Sequence, residues 1–166
     1  MYKENTMSEA KAYLEVLSKE LGLDIDFSAS NSAAFDLDGN IVLLQWREFD
    51  NSFVVYSEIG SLAGWNDEAV CRQLLSANFL LMETEGATLS YDMNANKVGI
   101  NYVLPLYGLS SEEFLQKMNA VLVLAEKWQE NLRAMQKEQE DLALAGNAEI
   151  NASFEPVMND MNFIKI

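Results

Sequence analysis

Two alternating runs joined by Asp38-Gly39 constrain this chain more than any other feature in it. Ala33, Phe35 and Leu37 alternate with Ala34, Asp36 and Asp38, and Ile41-Val42-Leu43-Leu44-Gln45-Trp46 follows at once. An Asp-Gly step between such runs is a strong hairpin signal, because the tightest hairpin loop needs left-handed backbone angles at both positions. A second turn, Asp50-Asn51-Ser52, leads into Phe53-Val54-Val55-Tyr56-Ser57-Glu58-Ile59. Turns this short permit only antiparallel pairing. A fourth and a fifth strand are expected at Thr88–Met93 and Val98–Leu104, joined by Asn94-Ala95-Asn96 and ended by Pro105, which has no donor N–H.

Three helices frame these strands. Ala10, Leu14, Leu17 and Leu21 recur at helical spacing, with Ser8 as a candidate N-cap and Gly22 as the stop, and Tyr13 and Val16 widen the stripe. Asn66, Asp67 and Glu68 read as the start of a middle helix running to about Glu85, with Gly86 ending it. Its apolar residues form two adjacent stripes: Val70, Leu74, Ala77 and Leu81, then Cys71, Leu75, Phe79 and Met82. A helix this apolar is covered on two sides, by its own sheet and by something else. Ser110-Ser111-Glu112-Glu113 is a capping box. From it Phe114, Met118, Val121, Ala125, Trp128, Leu132 and Met135 follow without a break, predicting a helix of ~42 Å if it reaches Asp141. Its other face is charged, as a solvated face would be.

The reading is an α+β domain over 1–145, with an antiparallel five-stranded sheet and three helices in the order α-β-β-β-α-β-β-α. Residues 146–166 lose periodicity, and a flexible or loosely docked tail is expected there, with Phe154, Met161, Phe163 and Ile164 as its docking candidates.

Composition narrows function mostly by exclusion. Among 166 residues, 26 acids against 11 bases leave a net charge of −15. That opposes nucleic acid and anionic membranes as partners, even though Trp46, Trp65, Trp128 and several tyrosines could stack on bases. No histidine is present, which removes the common triads, zinc sites and neutral-pH general base. Cys71, the single cysteine, has no disulfide partner within the chain and reads as a small half-buried residue. No membrane span or signal peptide is legible, so a cytoplasmic setting is expected. Asp36-Leu37-Asp38-Gly39-Asn40 lacks calcium-loop spacing and is better read as a turn. Asn151-Ala152-Ser153 carries no meaning without export. No catalytic residue, metal site or cofactor is expected.

An acidic chain with this element order resembles the class I type III secretion chaperones, the Tir-chaperone family. The likeness runs from about Met7 to Met135 and is most specific at Leu74-Leu75-Ser76-Ala77-Asn78-Phe79-Leu80 and Gly86-Ala87-Thr88-Leu89-Ser90-Tyr91. It implies a cytoplasmic homodimer, without ATPase activity, that holds the extended N-terminal region of a secreted effector. The effector-binding residues expected are Tyr13, Val16, Leu17, Phe27, Phe35 and Leu37. The dimer interface is expected at Val70, Leu74, Leu75, Ala77, Asn78, Phe79, Leu89 and Tyr91, with the stripe facing the partner left open. Two other classes remain: an interaction domain of the same fold unconnected with secretion, and an enzyme working through carboxylates alone.

Overall fold

Apolar alternation builds one sheet in the computed structural model, which describes residues 3–65 and 67–159, with side chains over 7–65 and 68–145. Strands β1 (Ser32–Leu37), β2 (Asn40–Arg47), β3 (Ser52–Ser61), β4 (Thr88–Asp92) and β5 (Lys97–Pro105) are ordered β1-β2-β3-β5-β4. All four pairings are antiparallel. Helices α1 (Lys3–Leu21), α2 (Asp67–Ala77) and α3 (Ser111–Asn159) complete the expected order. Asp38 and Gly39 both have positive φ, and the Gly39 N–H donates to the Asp36 carboxylate at 2.7 Å. The acidic loop is therefore a hairpin turn.

One face of the sheet is buried. Val42, Leu44, Trp46, Phe53, Val55, Ile100 and Leu104 lie there beneath the helices. One half of the core joins α1, β1–β3 and the start of α3 around Phe53 and Phe114. The other joins α2, β4, β5 and the next turns of α3 around Trp128 and Leu132. The alternate residues Ile41, Leu43, Val54, Tyr56 and Val103 face the other way and are half-buried or exposed, as an antiparallel sheet permits.

Three helix boundaries differ from expectation. First, α1 begins at Lys3, so Ser8 lies inside the helix. No proline or glycine between them interrupts it. Gly22 does end the helix, at φ 66°, with the Leu23 N–H closing onto the Ser18 carbonyl at 3.1 Å.

Second, α2 stops at Ala77 and does not reach Glu85. A short 3-10 turn, Phe79–Leu81, follows, and Leu80 and Leu81 have φ of 57° and 54°. Asn78 diverts the chain by bonding to Leu89 of β4 through both atoms of its amide. The Asn66 cap lies outside the described residues.

Third, α3 spans 49 residues, about 74 Å, and does not stop near Asp141. Gly146 costs a helix only about 1 kcal/mol against alanine, and Ala143, Leu144, Ala145 and Ala148 surround it. The candidate docking residues of the tail lie outside the described side chains.

The capping box forms as read. The Ser110 N–H donates to Glu113 at 2.8 Å, and the Glu113 N–H donates to the Ser110 hydroxyl at 3.2 Å. The Ser110 backbone bond and then its hydroxyl, helped by Lys117, hold the Glu113 carboxyl below its ordinary range despite slight desolvation. A lowered folded pKa gives stabilisation that is complete above the unfolded value and lost as pH falls through the folded one. Protection of the first-turn amides of α3, taken relative to their intrinsic exchange rate at each pH, should therefore fall as acid protonates Glu113, and in Glu113→Ala that acid-dependent step should be missing.

Candidate partner-binding edge and apolar faces

Strand β1 is an edge of the sheet, so one row of its backbone groups faces away from β2. The two-residue hairpin loop makes Leu37 and Asn40 a hydrogen-bonded pair, and alternation from there turns Phe35 and Ala33 toward β2. The N–H and C=O groups of Ala34 and Asp36 then point outward. Among the described residues nothing bonds to them. One step earlier, the Ser32 carbonyl is taken by the Ser28 N–H at 2.7 Å. The open stretch is short and well bounded.

Along α1 and the chain leading to β1 runs a shallow groove of about 520 Å³, lined by Leu14, Leu23 and Ile25 among mostly polar and charged side chains, Lys11, Glu15 and Asp24 included. The expected partner-binding residues divide here. Tyr13, Leu17 and Phe35 are buried in the protomer, and Val16, Phe27 and Leu37 are half-buried. Phe27 rests against Phe53, with ring centroids 6.1 Å apart.

Tyr13 is 6% exposed. It packs 4.7 Å from Phe114 and donates its hydroxyl to the Leu109 carbonyl at 2.6 Å. Burial first, then Glu9 and Glu113, raises its pKa, which keeps it a donor. Tyr13→Phe should lose about 1 kcal/mol of stability and Tyr13→Ala about 3–5 kcal/mol by denaturant unfolding. Val16→Asp alone should cost much less, since Val16 stands off the core stripe. Equal losses at the two positions would contradict this packing.

The second apolar face is on α2. Val70, Leu74 and Ala77 of one stripe are buried against the sheet, as is Leu89 of β4. Leu81, expected in that stripe, is 41% exposed, and of the other stripe only Cys71 is half-buried. Leu75 and Phe79 are 70% and 73% exposed, and Leu80 and Met82 beside them 71% and 77%. Next to this row lies a small apolar hollow of about 160 Å³ between Cys71, Leu74, Leu75, Asn78, Leu89 and Tyr91. Of the expected interface residues, Leu75 and Phe79 are thus on the surface, Asn78 and Tyr91 are half-buried, and four belong to the protomer core. Met82 belongs to the expected second stripe, whereas Leu80 escapes a helical reading because the left-handed turn, not the helix, brings it out. The open groups of Ala34 and Asp36 were also hidden, since strand order is not written in the strands themselves.

The described residues contain no group of three His, Cys, Asp or Glu side chains able to hold a metal ion. None of their helices is long and apolar enough to cross a membrane.

The model of the Tir chaperone protein (CesT) family matches residues 12–129. No curated protein matches in sequence. Among solved structures, a chain of the ExsC–ExsE complex superposes with a TM-score of 0.67 at 19% identity, covering 75% of this chain and 93% of that one. A chain of the HopA1–SchA chaperone–effector complex gives 0.61 at 15%, covering 75% and 95%. A chain from the complex of the Yersinia pestis type III secretion chaperone SycH with a fragment of YscM2 gives 0.51 at 18%, covering 69% and 94%.

Proposed function

Because the chain belongs to the Tir chaperone protein (CesT) family, we propose that it is a type III secretion chaperone holding an extended segment of a secreted effector. The observation that carries this reading is the open β1 edge at Ala34 and Asp36. An added strand gains affinity from main-chain hydrogen bonds that any sequence can make. Specificity then comes from alternate side chains of the segment, which would lie beside Phe35, Leu37 and Phe27 and reach the groove along α1. Binding of this kind needs no nucleotide and no cofactor. It keeps the segment extended, and the charge of −15 keeps the complex soluble and export-competent.

The working form is a homodimer in the cytoplasm, with neither nucleic acid nor membrane as a partner. The exposed row Leu75, Phe79, Leu80 and Met82 supports the dimer, because the apolar hollow lies next to it on the same face. A two-fold pairing lets each copy's row enter the other's hollow. Such a row is otherwise an aggregation hazard.

Capture on the full chain from its own host, followed by mass spectrometry and limited proteolysis, tests the proposal. The expected catch is a secreted protein held through a segment that lacks globular structure. Capture only of folded, non-secreted proteins would refute it and favour an interaction domain of the same fold.

A further inference from the structure

The two edges of the sheet are finished differently. On β1 the outward groups of Ala34 and Asp36 are open, whereas on β4 the protomer bonds to its own edge. The Asn78 side-chain oxygen accepts the Leu89 N–H at 2.8 Å, and its amide nitrogen donates to the Leu89 carbonyl at 3.0 Å. Alternation along β4 turns these Leu89 groups away from β5. Thr84, fully buried, repeats the arrangement two residues earlier. The Ala87 N–H donates to the Thr84 carbonyl at 2.9 Å, and the Thr84 hydroxyl donates to the Ala87 carbonyl at 2.7 Å. Residues 78–84 therefore fold back on the start of β4, through Asn78 at Leu89 and through the Thr84–Ala87 turn just before the strand. The left-handed Leu80 and Leu81 are what this path requires, and leucine adopts that conformation only under constraint.

We propose that Asn78 and Thr84 form an edge lock that closes β4 to strand addition and leaves β1 as the acceptor, so that each protomer takes one added strand. The location matters because β4 adjoins the exposed row at Leu75, Phe79 and Met82. Free backbone groups beside an apolar patch invite uncontrolled edge-to-edge pairing, and a covered edge prevents it. The limit to one strand rests on the strand-addition reading of function; the closure of β4 does not.

Residue-resolved amide exchange on the full chain tests the closure without a partner. Ala87 and Leu89 should exchange at least about 100-fold more slowly than Ala34 and Asp36. Asn78→Leu keeps the branched shape and removes both bonds, and it should speed Leu89 by about 30-fold. Val98 and Ile100 should stay protected, as a check that the sheet persists. Asn78→Asp retains the acceptor for the Leu89 N–H and should keep most of the protection, a difference that mere burial of Leu89 would not produce. If Asn78→Leu does not fold, Asn78→Ala against Asn78→Asp gives the same comparison. Leu89 exchanging as fast as Ala34, or no difference among the variants, would overturn the lock.

A second arm adds a lysine-flanked peptide of about ten alternating valine and serine residues, long enough for one strand. It should bind once per protomer in the unmodified chain, and twice in Asn78→Leu when Leu75→Glu and Phe79→Glu also keep a second copy out of the hollow beside β4. Two per protomer in the unmodified chain would overturn the lock. If the peptide binds neither protein while the exchange pattern holds, the strand-addition reading fails and the closure of β4 stands.

Discussion

Ala34→Pro should abolish capture of the extended partner while leaving the protomer folded. The Ala34 N–H faces out of the sheet, so its loss removes no bond between β1 and β2. Proline is tolerated at such edge positions because the missing donor would otherwise face solvent. An incoming strand, however, loses a main-chain bond at the centre of a short open stretch and meets the pyrrolidine ring there. The loss should be about 100-fold in affinity, roughly two main-chain bonds' worth with the steric term included. Ala33→Pro is the matching control. It breaks the β1–β2 ladder itself and should lower the thermal midpoint by several degrees. Partner binding unchanged in a folded Ala34→Pro protein would remove β1 from the account.

Leu75→Glu combined with Phe79→Glu should turn a dimer into a monomer at micromolar concentration. Both side chains are mostly exposed in the single protomer, so folding loses little when they become polar. An interface that buries them loses two anchors and gains two unpaired charges, which together weaken association by about 1,000-fold. Sedimentation gives the mass, and the thermal midpoint of the monomer reports whether the protomer survives. Leu74→Glu provides the contrast, since Leu74 is buried against the sheet and its replacement should unfold the chain. An unmodified chain that sediments as a monomer would dispose of the dimer altogether.

Most of the architecture was legible because each element carries its own period. The Asp38-Gly39 hairpin, the Ser110–Glu113 capping box and the stripe from Phe114 to Met135 each follow from local rules, and each stands where those rules put it. The end of α2 was not legible. Its apolar spacing continues past Ala77, and only the long-range bonds from Asn78 to Leu89 show why the helix stops. The reach of α3 was hidden for the opposite reason, since a lone glycine weakens a helix without ending it.

The candidate site divides in the same way. Tyr13, Leu17 and Phe35 were correctly read as apolar and helical or strand-borne, but periodicity cannot tell a side chain that faces the core from one that lines a groove. The doubled stripe carried real information over α2 itself, where Val70, Leu74 and Ala77 are covered and Leu75 is left at the surface; beyond Ala77 it did not, since Leu81 of the first stripe is 41% exposed. Leu80 joins the exposed row only through left-handed geometry, which leucine-rich sequence does not advertise. The outward backbone of Ala34 and Asp36 depends on the order of strands, which no single strand encodes.

Amide exchange at Ala34 and Asp36, free and in complex with the captured partner, tests strand addition most directly. Both amides should exchange at close to unstructured rates in the free chain and slow by about 100-fold in the complex, while Phe35, already bonded to β2, changes little. Ala34 and Asp36 remaining fast with the partner bound would contradict strand addition at β1.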